Sequence, residues 1–470
     1  MTDNLCSDYG ENITLMRRVL RVNESFDIIE RHLTVCDRDS CFFYIDGFVK
    51  DGETQRVMQY LLSQKSIGTA SDMEKRIPYV EVELTREVGK IIRAVLSGQT
   101  AFFAESFGGE AILLDLRTYP ARPTQEPESD RVMQGARDGF VETLTVNTTL
   151  IRRRIRDPRL TMEHFALGGS SDTDIVVCYV DGVADQKIVD EVRRKISEAK
   201  PGSLTIGYQS LAETLISRGW FNPFPKIRTT ERPDTAAAQL LEGSVIVICD
   251  TSPQAMILPT SIFDYMQETD DFCFPPLTGS YLRIIRVAIL MLSVVITPLW
   301  LLSLEYADRL PEALAFLVPE NPGALPIIVQ LFLVEFAVDG LKIASMNTPD
   351  ILSNSLSVVG ALILGDFAVE VGWLCSDVIL YMAFVAIANF AQQNYELGYA
   401  FKFMRMLILG LVYLLGIWGF VAGILIFLLL VSTNRTLTKN HYLYPLIPFD
   451  GRAFSRLIIR RKKQDVKRKP

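Results

Sequence analysis

Two carboxylates, Asp366 and Glu370, stand inside the apolar stretch GALILGDFAVEVGWL (360–374), and a second apolar run, 327–346, carries Glu335, Asp339 and Lys342. The spacings are i, i+4 for the first pair and i, i+4, i+7 for the second set, so each set lies along one face of a helix. At mid-bilayer a carboxylate costs roughly 2.5–3.5 kcal/mol, while each Leu, Ile, Val or Phe returns only about 0.3–0.6 kcal/mol. Two acids therefore cancel most of the gain of a segment this long, and they must turn away from lipid. Two arrangements inside the protein meet that condition, and placing one stripe at the membrane interface is a third. In one the acids form a buried network, for example Lys342 with Asp339 and an acid of the third run. In the other they line a hydrated cation pathway or gate, with Lys342 as the counter-charge that tunes it.

These residues need helices of membrane length to position them. The chain has 470 residues, is 49% hydrophobic and carries a formal charge of −7. Mixed, charged text runs to about residue 280, apolar runs dominate from Val287 to Ser432, and the end is basic. The expected domains are two soluble subdomains (1–125 and 126–280), a multi-span helical membrane domain (281–433) and a basic cytoplasmic tail (434–470). From Arg452 onward there are nine Lys and Arg against Asp465 alone, which places the tail in the cytoplasm. MTDNLCSDYG has neither a basic lead nor an apolar stretch, so the amino-terminal end is expected there too, and the number of crossings is even.

Five apolar runs conflict with an even count: 287–304, 327–346, 360–374, 378–391 and 404–432. Four crossings with a shallow second run resolve it. Six crossings, with the long last run or the 310–326 region split, are the alternative. Gly419 and Gly423 form a GxxxG and Gly360 and Gly365 lie on the third run, a pattern that suits close helix packing. Four helices around one axis fill their own centre, so a water-filled route requires several copies of the chain.

The soluble half alternates strand and helix signals. CFFYI followed by Asp46-Gly47 and an amphipathic stretch returns as DIVVCYV, Asp181-Gly182 and ADQKIVDEVRRKI, a weak internal repeat in which the Asp-Gly pairs read as strand-end turns. The fold class expected is an α/β (or α+β) cytosolic domain of two subdomains, joined near YPARPTQEPESD, followed by an all-α polytopic membrane domain. The arginines of LIRRRIRDPRL (150–160) have acids nearby and no aromatic-rich basic groove, which argues against nucleic acid.

Neither a P-loop, a GxGxxG nor a GxSxG is present, and the three histidines have no metal-ligand spacing, so no enzyme activity, cofactor or metal site is expected. Seven widely spaced cysteines without a CxxC fit free thiols in a reducing compartment.

RDGFVETLTVNTTLIRRRIRDPRL (137–160), NPFPKIRTTERPDTAAAQLLEG (222–243), DTSPQAMILPTSIFDYMQ (250–267) and FPPLTGSYLRIIR (274–286) resemble the A-subunit (GerA) family of bacterial spore germinant receptors. FYIDGFVKD (43–51), EFAVDGLKIASMNTPD (335–350) and HYLYPLIPFDGRAF (441–454) look most like its stage V sporulation protein AF branch. Gly135-Ala136-Arg137 stands for the family's Gly-Pro-Arg, and Asn440-His441 for the branch's Thr-Pro. The resemblance implies a protein of the spore inner membrane that oligomerises and conducts ions during germination; with the acid stripes, the expectation is a multi-pass homo-oligomer that passes monovalent cations. The resemblance also implies amplification of ion release with a small membrane partner protein. A non-conducting scaffold and an ion-coupled transporter remain as alternatives.

Overall fold

The computed structural model describes residues 4–119, 135–216, 221–268, 271, 274–347, 368–392, 394–434, 436–437 and 441–459. They form two compact units: Met1–Arg218 with Ile227–Thr260 and Thr436–Asn440, and Gly219–Lys226 with Ser261–Arg435 and His441–Pro470.

In the first unit a helix α1 (Tyr9–Leu20) leads into β1 (Ile28–Val35) and β2 (Arg38–Ile45), followed by α2 (Asp51–Ser63), α3 (Ala70–Arg76), β3 (Val82–Thr85), α4 (Val88–Leu96), β4 (Thr100–Ala104) and β5 (Ala111–Leu114). The sequence then repeats the pattern: α5 (Leu144–Arg154), β6 (Leu160–Leu167), β7 (Thr173–Val180), α6 (Gln186–Glu198), α7 (Gly207–Leu215), β8 (Arg228–Thr230), α8 (Pro233–Glu242), β9 (Val245–Cys249) and β10 (Ala255–Leu258). The sheet orders are β1-β2-β4-β5-β3 and β6-β7-β9-β10-β8, the same order with every strand advanced by five. The internal repeat is thus a duplicated fold. Every ladder is antiparallel, so of the two classes expected from the sequence the unit is α+β.

Alternate residues of β2 serve opposite faces, as a strand's period of two requires. Cys41, Phe43 and Ile45 pack with Met16, Ile91 and Val95 of α1 and α4, whereas Phe42 packs with Val57, Leu61 and Met73 of α2 and α3. In the second sheet Ile175 and Val177 meet Val189 and Leu211, and Val176 and Cys178 meet Ile151 and Leu240. Helices therefore cover both faces of each sheet.

Arg152, wholly buried, fixes the two sheets to one another: its Nε and Nη2 donate to Asp27 at 2.7 and 3.0 Å, and Nη2 also reaches Ser25 Oγ at 3.1 Å and the Leu160 carbonyl at 2.9 Å. Gly47, in the turn after β2, has φ +76° and lies directly against Thr149 of α5.

The second unit is helical: α9 (Pro276–Glu305), α10 (Ile327–Met346), a single turn (Ala368–Glu370), α11 (Ser376–Phe390), α12 (Tyr395–Thr433) and α13 (Gly451–Ile458). α9 runs through Pro298 without a break. Between α9 and α10 the chain makes only short 3-10 turns, Ala307–Arg309 and Glu312–Leu317, so the split considered for 310–326 does not occur there.

The split falls in the last run. Gly416 has φ 55° and ψ −131°, and beyond it the chain doubles back. The Phe401 and Phe427 rings lie 5.7 Å apart, where a continuous helix would separate them by roughly 39 Å. α12 is therefore a helical hairpin. A Cβ on Gly419 would strike the Leu411 carbonyl, and one on Gly423 would lie 2.8 Å from Ile408 Cγ1, so the GxxxG face meets the hairpin's own first arm. Gly360 and Gly365 lie outside the described residues.

Two boundaries expected from the sequence shift. Residues 434–470 are not wholly a tail, because Leu437 is buried in the core of the second sheet and Tyr442 in that of the helical unit. The first apolar run also does not open at a solvated basic flank, because Arg283 and Arg286 just before it are buried: Arg283 Nε meets Asp271 at 3.2 Å, and Arg286 meets Asp271 at 3.1 Å and Glu268 at 2.6 Å.

Candidate functional site

α10 presents Glu335 and Asp339 one turn apart, and the first arm of α12, running antiparallel to it, presents Lys402 and Arg405. Arg405 Nη2 donates to Glu335 Oε1 at 2.6 Å, and Nη1 reaches the Ser293 carbonyl of α9 at 3.3 Å. Lys402 Nζ bridges the two acids, 3.2 Å from Glu335 Oε1 and hydrogen-bonded to Asp339 Oδ2. Side-chain exposure is 0% for Arg405, 5% for Lys402 and 6% for Glu335, but 27% for Asp339. Among the described residues, Arg405 Nε has no hydrogen-bond partner, and neither has Thr297 Oγ1, one turn along α9 from Ser293.

The counter-charge assigned to Lys342 is supplied instead by Lys402 and Arg405. Lys342, one turn beyond Asp339 on α10, makes no ion pair among the described residues; its ammonium lies 4.3 Å from the ring centre of Tyr395 and 4.8 Å from that of Tyr399. The signal for the missed pair was present: two bases at i, i+3 immediately before and within the start of the last apolar run.

Glu370 does not join this cluster. It is exposed and precedes a turn in which the Gly372 carbonyl accepts from Ala324 N at 2.9 Å. Buried Gln330 ties the same two loops together, donating to Pro322 and Leu325 and accepting from Cys375 N at 2.8 Å. Glu370 therefore sits by the start of α10, and Glu335 lies roughly 12 Å further along its axis. Asp366 lies outside the described residues.

Among the described residues of the first unit, Glu30, His32 and Cys41 bring ligand-type atoms together. Glu30 is already engaged by Arg17 at 2.5 and 2.8 Å and by His32 at 2.7 Å. Burial pushes the Cys41 thiol up to about 12, so it stays protonated and is a poor metal ligand at neutral pH. A cleft of about 550 Å³ bounded by Arg21, Glu163, Tyr179, Asp181 and Arg193 is lined by charges that pair with each other, Arg21 with Asp181 at 2.6 Å and Arg193 with Glu163 at 2.5 Å.

The family model described as Bacillus/Clostridium GerA spore germination protein matches residues 16–470. The chain belongs to this family. Stage V sporulation protein AF of Bacillus subtilis (strain 168) is 35% identical over 466 residues, 98% of this chain and 94% of that protein. Spore germination protein KA of the same organism is 27% identical, covering 93% of this chain and 82% of that protein. Among solved structures, the N-terminal domain of the A subunit of the Bacillus megaterium spore germinant receptor GerK3 is similar at 23% identity, covering 55% of this chain and 96% of that one, with a TM-score of 0.41.

Within this GerA-family chain, Pro276–Glu305 and Tyr395–Thr433 are long and apolar enough to cross a membrane, and the chain is a membrane protein. Charges on helices packed against such segments are retained only when paired or hydrated. The cluster does both in part: Glu335, Lys402 and Arg405 neutralise one another in a buried core, while Asp339 remains partly open.

Proposed function

We propose that the chain is a subunit of an oligomeric, cation-permeable channel in the spore inner membrane, promoting or amplifying ion release during germination. The observation that carries this reading is the incomplete closure of the charge cluster between α10 and α12. Asp339 keeps 27% exposure, Arg405 Nε has no partner among the described residues, and Lys342 rests on aromatic rings. Groups in this condition at membrane depth favour a hydrated surface, and the apolar helices around them, too few to enclose a pore alone, call for several copies. The route would run along the Asp339 side of α10, with Glu370 nearer its outer end and Glu335 fixing the wall.

Six crossings suit the helical unit better than four. The described helices α9, α10 and α11 with the two arms of α12, about 20 and 17 residues long, give five, and the third apolar run of the sequence, counted from its composition alone, would be the sixth. The pairing of ends supports it: the Gly416 turn packs against Glu305 at the close of α9, and the start of α12 meets the end of α10 through Lys342. Both termini are then cytoplasmic. Monovalent cations, the lipid bilayer and a small membrane partner protein are the expected associates.

The Glu335–Arg405 bond favours a second reading, a non-conducting scaffold of a germination complex whose membrane charges only join helices. Current across a planar bilayer containing the purified chain, alone and with its partner, separates the two. The channel reading expects discrete cation-selective steps whose reversal potential shifts in Asp339→Asn with assembly unchanged. Silence in bilayers with intact oligomers supports the scaffold.

A further inference from the structure

One piece of the helical unit comes from the strand-rich part of the sequence. Residues 221–226 follow α7 and precede β8, yet they belong to the helical unit, and β8 opens at Arg228, two residues past Lys226. Phe224 is 2% exposed, and its ring centre lies 6.0 Å from that of Phe401 on the first arm of α12 and 5.9 Å from that of Phe427 on the second. The three rings meet edge to face, so Phe224 joins the two arms as a wedge. Asn222 ties it there. Its Nδ2 donates to the Leu430 carbonyl at 3.1 Å, one of the last four of α12, which a helix end leaves without an internal partner, and its Oδ1 accepts from Phe224 N at 3.1 Å. Asn434 Nδ2 reaches the Phe224 and Pro225 carbonyls, each at 3.5 Å. Pro223 and Pro225 fix their own φ and disfavour the helical region for Asn222 and Phe224, so the segment is a stiff, extended strap. Its carboxyl-terminal end runs into β8, three residues long and at the edge of its sheet, the kind of element that opens at low cost.

The wedge meets the charge cluster through the first arm. Phe401 adjoins Lys402 in sequence and lies one turn from Arg405 on the same helix, and these two bases hold Glu335 and Asp339. With Phe224 seated, Lys402 therefore occupies Asp339, the partly open acid. A carboxylate already paired with an ammonium offers a passing cation little attraction. We propose that residues 221–226 are an autoinhibitory strap: Phe224 seated between the arms of α12 keeps Lys402 on Asp339, and withdrawal of the strap together with β8 lets the first arm move, releases Lys402 and opens Asp339 to cations. The cation step rests on the channel reading of this cluster, whereas control of access to Asp339 does not.

The test compares the unaltered full chain with Phe224→Ala, which removes the wedge, and with Asn222→Ala, which loosens the strap without opening a cavity in the core. A water-soluble carbodiimide with an amine labels accessible carboxylates in nanodiscs, and mass spectrometry reads each site. Labelling of Asp339 is expected to quicken at least about fivefold in Phe224→Ala and less in Asn222→Ala, as a shift toward the released state requires, while exposed Glu370 reacts alike in all three. In planar bilayers both variants are expected to raise open probability and to leave the reversal potential and the size of each step unchanged. Unaltered labelling of Asp339 in folded variants overturns the proposal. So does faster labelling in a conducting chain whose open probability stays the same. Faster labelling in a chain that passes no current in any form removes the channel reading and keeps the strap as the control on Asp339.

Discussion

At the scale of single residues, the Glu335–Arg405 bond is the part of the cluster with least freedom, because neither group reaches solvent. Breaking a buried ion pair from one side leaves a charge without compensation and costs about 3–5 kcal/mol, whereas replacing both members by apolar groups of similar volume is often neutral. Glu335→Leu alone is expected to lower thermal stability in detergent by an amount in that range, and Glu335→Leu with Arg405→Met to recover most of it. Asp339, a quarter exposed, is expected to tolerate Asn with a loss of no more than about 1 kcal/mol. Melting curves followed by size-exclusion fluorescence measure all three. The same rule applies to the seam of the first unit, where Arg152→Met leaves Asp27 buried and unpaired and is expected to raise amide exchange in both β1 and β6. Thiols offer a simpler check: Cys6 is exposed and Cys41, Cys178 and Cys249 are buried, burial pushes Cys41 and Cys249 up to about 12, and maleimide at neutral pH is expected to label Cys6 and spare those three until unfolding.

At the scale of elements, the hairpin in α12 depends on glycine at two kinds of position. Gly416 holds backbone angles that a Cβ opposes, a strain of about 1–3 kcal/mol for other residues, and Gly419 and Gly423 let the second arm approach the first to backbone contact. Gly419→Leu is expected to force the arms apart and destabilise the helical unit more than Gly410→Leu, where a Cβ meets nothing within 4 Å. Oxidative cross-linking of cysteines placed at 408 and 423 reads the arm separation directly. The strands and helices of the first unit were legible because each carries its period plainly. Their antiparallel order was not, since helices on both faces give strands such as VIVIC and AMIL the unbroken apolar text usual in parallel sheets. The hairpin was hidden for a related reason: no charged residue interrupts 406–432, and a turn made by one glycine in a glycine-rich run has no distinct signature. The acids at 335 and 339 stood out because charge is costly in hydrocarbon, but their partners lie more than sixty residues away, and sequence spacing holds no information about which helices meet.

For the whole molecule, the duplicated α+β unit and the helical unit assign separate tasks to separate parts of the chain, and the outer turns of the helical unit give the topology a direct reading. With six crossings, residues beside Gly416 and Glu305 lie on the face opposite the basic tail. Single cysteines introduced at Leu414 and Phe454 are therefore expected to react with impermeant reagents from opposite sides of sealed vesicles, and labelling of both from one side would restore the four-crossing arrangement. Conduction itself is the central claim. The most direct measurement is single-channel current from the purified chain in a planar bilayer, with its small partner and without, comparing the unaltered chain with Asp339→Asn and with Glu370→Gln. Cation-selective steps are expected in the unaltered chain and a shifted selectivity in Asp339→Asn. Fully assembled oligomers that pass no current under either condition would contradict it.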